Sequence, residues 1–244
     1  MALLRSKPLP RQSLAALMVS AGLASTSLAN PQMLPESGPW TSGDYVEAVF
    51  AVQNGVITLP RQGNPKTRAF FDRLVDRGNV DRLMAAPLRP EEKRRDILIM
   101  LSTTGEFRGR YGYAVALGDD VQNELVTLQV FRLYLVDRLV SLDIKDEDTG
   151  CMVETAGDPR CASTLATIVA GTLDTLAEPQ SFTKDQLVAL STALGRHYPA
   201  IRAKLGAEEH LLATRRLEGL AAGESDPAVK SALATALAAV RGHD

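Results

Sequence analysis

The feature that most constrains the fold is a helical spacing of apolar residues that recurs along the chain. In residues 121–142, apolar side chains follow one another at alternating steps of four and three. Such steps place the side chains on one face of an α-helix. The same spacing occurs in residues 165–176, 187–201 and 229–240, and no strand alternation is convincing, although residues 55–59 could form a short extended piece. The sequence therefore predicts an all-α fold.

Proline, glycine and capping residues mark where the helices begin and end. Proline favours the first turn of a helix, glycine favours the position after its end, and a Thr followed three residues later by Gln forms a capping box. The start signals are Pro65, Pro90, Thr183 with Gln186, and Pro227, and the stop signals are Gly78 and Gly223. Pro199 should end or kink the helix that contains it. These marks predict a multi-helix bundle of about seven or eight helices.

The N-terminal segment has the order of a secretory signal peptide. Three basic residues precede an uncharged run over residues 13–29, which closes on Ser27-Leu28-Ala29. Positive charge, apolar run and small-residue site are the three parts of such a peptide. An uncleaved anchor helix is the alternative, but a membrane span needs about 20 predominantly apolar residues, and this run of 17 contains five serines or threonines. We predict that residues 1–29 are removed and that the protein is exported, to the periplasm or outside the cell.

The mature chain is expected to be one soluble domain. Residues 30–42 contain three prolines and read as a flexible leader, anchored by Trp40, and residues 43–244 read as a single all-helical domain. Cleavage removes three of the 27 basic residues and none of the 29 acidic ones, which leaves a net charge of −5. A mixed, mildly acidic surface argues against nucleic-acid binding, which requires a basic stripe. No later run reaches transmembrane length.

Both cysteines lie in one loop between two long helices. Cys151 and Cys161 are separated by nine residues, and Asp158-Pro159 reads as the start of the next helix, which places Cys161 in its first turn. Two cysteines make a poor zinc site, because structural zinc takes four protein ligands. Since export permits disulfides, we predict a Cys151–Cys161 disulfide that ties this loop. A reactive thiol at the helix start is the alternative.

Small residues share one face of the segment over residues 97–118. Ser102, Gly105, Gly109, Gly112 and Ala116 follow one another at alternating steps of three and four. Glycine inside a helix costs roughly 1 kcal/mol relative to alanine, so something must offset these glycines. The sequence leaves three explanations open: close packing on the following helix, a break in the helix, or a groove for a ligand.

Two groups of residues near this stripe form a candidate ligand or partner surface. Arg108, Arg110, Tyr111 and Tyr113 combine cationic forks with amphipathic rings. Arg132 occupies a step of the apolar stripe of the following helix, and a buried arginine requires a partner. Either Arg132 extends to the edge of the core, or it binds an anion or a partner.

The sequence contains no recognisable catalytic, cofactor or metal motif. None of His197, His210 and His243 has a second histidine at metal-ligand spacing, and HExxH, CxxC and phosphate-loop patterns are absent. The acidic segment 143–160 fits no EF-hand register. It reads as a solvated loop, with an irregular cation site as the alternative. No catalytic residue, cofactor or metal ligand is therefore predicted.

These observations favour an exported, non-enzymatic helical bundle that binds another protein or a cell-envelope component. Its candidate surfaces are the arginine and tyrosine group around residues 108–113 and the acidic segment 143–160. A small-ligand carrier with a pocket between helices, near Arg132, is one alternative. The other is a secreted hydrolase whose catalytic groups meet only in the folded chain.

Overall fold

The computed structural model describes residues 34–35, 38–60, 65–114, 118–142 and 159–242, with residues 113–114 and 159–164 described for their backbone only. These ranges contain nine α-helices: α1 Ser42–Gln53, α2 Pro65–Leu74, α3 Arg77–Ala85, α4 Pro90–Ala114, α5 Asp119–Val140, α6 Pro159–Leu176, α7 Lys184–Arg202, α8 Ala207–Gly223 and α9 Pro227–Arg241. A short 3-10 turn, Pro179–Ser181, precedes α7. Within the described ranges there is no strand, and the predicted all-α bundle is confirmed.

Most of the predicted helix starts are confirmed. α2, α4, α6 and α9 begin at a proline. The capping box at the start of α7 is formed: the Thr183 backbone N–H donates to Gln186, and the Gln186 backbone N–H donates to the Thr183 hydroxyl at 3.3 Å. Asp226 caps α9 by accepting from Ala228 and Val229.

The helix stop predicted at Gly78 is wrong, and the helix that contains Pro199 continues past it. Gly78 does not end a helix but lies in the first turn of α3, where its N–H donates to the capping Asp76 side chain at 2.9 Å. The strong Asp N-cap outweighs the stop signal of the glycine. Pro199 does not end α7, which continues to Arg202.

Helix α5 is the centre of the bundle and packs against α3, α4, α6 and α7. Its apolar stripe is buried from Val121 to Leu139, and so are residues off the stripe such as Phe131, Leu133 and Val136. A helix that is buried on several sides needs apolar residues around most of its circumference. Arg132 is buried within this surface, with 7% of its area exposed.

The N-terminal helices are tied together by polar groups inside an aromatic cluster. The Asn79 side chain of α3 accepts from the Trp40 backbone N–H at 2.8 Å and donates to the Tyr45 hydroxyl at 3.2 Å and to the Arg73 carbonyl at 2.8 Å. Trp40 is buried and contacts the rings of Tyr45 and Phe70 edge to face. Trp40 thus anchors the chain just before α1.

The C-terminal helices form a tight group in which α7 packs on α9 and α8 packs on α9. At the crossing of α7 and α9, a side-chain carbon placed on Gly195 would lie 3.0 Å from the Cα of Ala236. The absence of a side chain at Gly195 therefore allows the two backbones to approach closely.

Several predictions concern residues outside the described ranges. The signal peptide, Cys151 and most of the acidic segment 143–160 lie there, as does the side chain of Cys161. The disulfide stays a prediction. Among the helices that are described, each is too short or too polar to cross a lipid bilayer.

Candidate ligand-binding cleft

Helix α4 is continuous from Pro90 to Ala114 and carries Ser102, Gly105, Gly109 and Gly112 of the small-residue stripe, whereas Ala116 lies outside the described residues. The predicted alternative of a helix break near Gly105–Gly112 is therefore wrong. A side-chain carbon at Gly109 or Gly112 would have no neighbour within 4 Å, whereas one at Gly105 would lie 3.2 Å from Nη2 of Arg132. Close packing of helices thus does not account for Gly109 and Gly112, which face open space.

This open space is a cleft of about 260 Å³ between α4, α5, α6 and the chain that follows α6. Its lining combines glycine backbone, apolar surface, one guanidinium and two carboxylates: Arg108, Gly109, Gly112, Leu125, Asp174, Thr175, Glu178 and Phe182. Small-molecule pockets usually have volumes of about 300–1,000 Å³. The cleft therefore fits a small ligand or one end group of a larger one.

Arg108 reaches from α4 across to α6 and forms part of the cleft wall. Its Nη2 donates to the Gly171 carbonyl at 3.2 Å, and its Nε is buried without a hydrogen-bond partner among the described residues. A side-chain carbon on Gly171 would lie 2.8 Å from Nη2 of Arg108. Gly171 therefore provides the space in which the guanidinium lies.

The Gly171 carbonyl receives more than one side-chain donor. Nε2 of Gln129 on α5 donates to it at 3.1 Å, and the Thr175 hydroxyl donates at 3.0 Å. The Oε1 atom of Gln129 is buried and has no partner in the described part of the chain. Because the carbonyl oxygen is shared, it does not satisfy the hydrogen-bonding capacity of Arg108.

Arg132 lies behind this wall, with its guanidinium against Gly105. Nε is buried without a partner, and neither a hydrogen bond nor an ion pair joins Arg132 to another described residue. Burial, together with the charge of Arg108, lowers the pKa of Arg132 to about 10. The buried charge of Arg132 thus lies beside the half-buried charge of Arg108, and neither is paired with a carboxylate among the described residues.

The carboxylates of the cleft lie at its exposed side. Oδ1 of Asp174 accepts from Nη2 of Arg216 on α8 at 2.6 Å, so its charge is matched. Glu178 is exposed to solvent. The positive charges therefore lie deeper than the negative ones.

Arg110 and Tyr111 of the predicted surface do not line the cleft. Arg110 forms an ion pair with Glu106 at 3.3 Å on a partly exposed face of α4. Tyr111 is fully buried, and its ring contacts Phe71. Burial, with the neighbouring Glu124 carboxyl, raises the pKa of Tyr111. The Tyr113 side chain lies outside the described residues, so of the predicted group only Arg108 and Arg132 come together.

A histidine–carboxylate pair forms elsewhere, between α5 and α7. Nδ1 of His197 donates to Oδ2 of Asp137 at 3.0 Å, because an ionised carboxylate can only accept. Nε2 of the same ring is buried without a partner among the described atoms. Burial lowers the pKa of His197, although the Asp137 hydrogen bond opposes this shift. The pair does not line the 260 Å³ cleft.

A second polar pair that involves a histidine joins α7 to α8. The Tyr198 hydroxyl lies 2.9 Å from Nδ1 of His210, and burial raises the pKa of Tyr198 to about 12. Burial and the charge of Arg202 lower the pKa of His210. This pair holds α8 against α7.

Sequence reasoning missed the part of the cleft that α6 and the following turn supply. Asp174, Thr175, Glu178 and Phe182 line the cleft and lie more than 60 residues from Arg108 along the chain. They belong to no motif, so no local pattern identifies them. In the described ranges no group of three or more His, Cys, Asp or Glu side chains could hold a metal ion. No family model, curated protein or solved structure matches the chain.

Proposed function

We propose that this chain is an exported, non-enzymatic helical-bundle protein that binds a small ligand, or one end group of a cell-envelope component or partner protein, in the cleft between α4, α5 and α6. The observation that carries the proposal is the open space at Gly109 and Gly112 beside Arg108. Glycine in a helix interior is unfavourable, and at these two positions no packing neighbour offsets that cost. A ligand bound in the cleft would offset this cost.

The location belongs to the same proposal and rests on the sequence. Charge, apolar run and small-residue site over residues 1–29 support export, and export supports a Cys151–Cys161 disulfide in the connection between α5 and α6. N-terminal analysis of the exported chain should give a start near Asn30. A chain that keeps its first residues would contradict cleavage.

The hydrolase alternative has less support. Its best feature is the His197–Asp137 pair, which resembles a general base with its orienting carboxylate. A general base needs its second nitrogen within reach of a substrate or nucleophile, and Nε2 of His197 is buried without a partner in the described structure. The pair also lies away from the cleft.

The cleft is tested with the substitution Gly109→Leu. Leucine is a better helix former than glycine, and its first side-chain carbon would have no neighbour within 4 Å. The fold should be kept while the cleft is filled. Gly219→Leu on α8 is the matched control, because the first side-chain carbon there also has no neighbour within 4 Å and Gly219 does not line the cleft.

Binding is measured by thermal shift with a panel of small carboxylates, phosphates, amines, sugars and uncharged amides. At least one class should raise the Tm of the natural chain and of Gly219→Leu but not that of Gly109→Leu, since a ligand stabilises only the state that binds it. The proposal fails if no class raises the Tm, or if Gly109→Leu responds as strongly as the natural chain.

A further inference from the structure

We infer that the ligand of the cleft carries an oxyanion, a carboxylate or a phosphate, that Arg108 binds it in the cleft wall, and that Arg132 behind this wall adds its positive charge. This inference rests on the proposed function, since it names the chemical class of ligand for the same cleft. It is carried by the burial, the missing partners and the placement of the two guanidinium groups.

Arg132 carries a positive charge at a buried position. A buried ion is costly unless it is paired and hydrogen-bonded. Only 7% of Arg132 is exposed, and no carboxylate or carbonyl among the described residues bonds to it. Nε of Arg132 is buried without a partner, whereas its two terminal nitrogens are not among the fully buried unpaired atoms of the described residues. The terminal nitrogens are therefore the part of this guanidinium that an anion can approach.

Arg108 lies beside Arg132 and has the same charge. Two adjacent guanidinium groups repel each other, and this repulsion contributes to the lowered pKa of Arg132. A single anion between or in front of them would offset both the repulsion and the lost hydration. Guanidinium forks match carboxylate and phosphate oxygens in geometry, often through two parallel hydrogen bonds.

The cleft gives a ligand access to Arg108. Arg108 lines the cleft, and the bare backbone at Gly109 and Gly112 leaves its mouth open. Gly105 and Gly171 provide the space in which the guanidinium groups of Arg132 and Arg108 lie. The glycines of α4 and α6 thus have a common explanation, since each one either holds an arginine in place or keeps the cleft open.

The two carboxylates of the cleft do not compete for the same place. Asp174 is already paired with Arg216 at 2.6 Å, and Glu178 is exposed to water, where its charge is well screened. An oxyanion that reaches Arg108 passes the exposed side and enters the more positive interior.

The experiment compares Arg132→Met, Arg108→Met and Arg215→Met with the natural chain. Arg215→Met is the matched control, because it removes the same charge from an exposed position on α8. Each protein is melted in sodium phosphate, sulfate or acetate and in sodium chloride of equal ionic strength. Sulfate and phosphate stabilise most proteins without binding to a site, so the readout is the difference between variants.

We expect the oxyanions to raise the Tm of the natural chain and of Arg215→Met by about 3–5 °C at ten times the dissociation constant. The two site variants should lose this rise. Arg132→Met should melt no lower than the natural chain in chloride, since methionine removes an unpaired buried charge. If either site variant fails to fold, Gly109→Leu gives the same test, because it blocks the cleft while both arginines remain.

The results separate this inference from the proposed function. Amines, sugars or amides could stabilise the natural chain and not Gly109→Leu, while oxyanions raise the Tm of the natural chain no more than that of Arg132→Met. That result would show that the cleft binds ligands and would overturn the oxyanion assignment. If no compound binds, both are overturned. Sedimentation with phosphatidylglycerol vesicles, absent with Arg132→Met, would identify a lipid headgroup as the source of the oxyanion. Stabilisation by phosphate without sedimentation would identify a free ligand.

Discussion

His197 and Asp137 join the two central helices: Nδ1 of His197 on α7 lies 3.0 Å from Oδ2 of Asp137 on α5, and only 4% of the histidine is exposed. The rings of His197 and Tyr134 lie edge to face, with centroids 6.1 Å apart. The hydroxyl of Tyr134 donates in turn to Asp81 on α3. A short polar chain thus connects α3, α5 and α7 beside the core.

This pair predicts that acid weakens the fold. Burial holds the pKa of His197 below its ordinary 6.5, so between the two values the unfolded chain binds more protons than the folded one. The free energy of unfolding then rises with pH in that window. The stability that neutral His197 contributes is present above pH 6.5 and is lost as the pH falls below it.

The measurement is denaturant unfolding of the natural chain and of His197→Gln between pH 5 and 8. The substitution should lower stability at pH 8 by about 1–2 kcal/mol through loss of the Asp137 hydrogen bond, and it should flatten the pH dependence. Because the pKa of His210 is lowered too, part of the slope should remain. An unchanged slope would show that His197 is not the titrating group.

Substitution by alanine should have opposite effects on the free energy of unfolding at Gly195 and at Gly219. In Gly195→Ala the new methyl would lie 3.0 Å from the backbone of Ala236, so α7 and α9 must move apart at a cost of about 1–3 kcal/mol. In Gly219→Ala the methyl meets nothing, and helix propensity should add up to about 1 kcal/mol. Chemical denaturation of both variants checks this, and a stabilised Gly195→Ala would contradict the close crossing.

The hydrogen bonds of Asn79 are predicted to stabilise the packing of the N-terminal helices. Asn79→Ala leaves the Trp40 N–H, the Arg73 carbonyl and the Tyr45 hydroxyl without this partner. We expect a loss of about 3 kcal/mol, seen as a fall in Tm of roughly 6–12 °C. Asn79→Asp keeps the acceptor for Trp40 and removes both donors. If Asn79→Ala melts like the natural chain, the network does not stabilise the fold.

The predicted disulfide is checked by thiol titration and by comparison with the double variant Cys151→Ser, Cys161→Ser. The exported native chain should show no free thiol, and the double variant should be less stable by about 2–3 kcal/mol in the loop-entropy model. The natural chain, after reduction of its disulfide, should have the same Tm as the double variant. Two free thiols in the native exported chain would instead support the alternative of a reactive cysteine at the start of α6.

Much of the helical architecture follows from local sequence. The apolar steps along residues 121–142, the prolines that begin α2, α4 and α9, and the Thr183–Gln186 capping box depend on residues within four positions of one another. Gly78 shows where such reasoning goes wrong, because the neighbouring Asp76 cap decided where α3 begins.

The cleft could not be predicted in the same way. The sequence indicated that α4 has a face of small residues and that Arg132 interrupts an apolar stripe, yet it favoured close packing and left a break and a groove as alternatives. Only the tertiary structure placed Gly171 of α6 against Arg108, and Arg132 against Gly105. Likewise, His197 and Asp137 are 60 positions apart.

The sequence alone therefore determined the fold class, most of the helix starts and which helix faces are buried, because backbone hydrogen bonds and caps within a helix act between near neighbours. The tertiary structure decided which charges meet, which glycines face open space and which buried groups lack a partner. These properties depend on how separate helices cross, and that depends on the packing of the whole bundle.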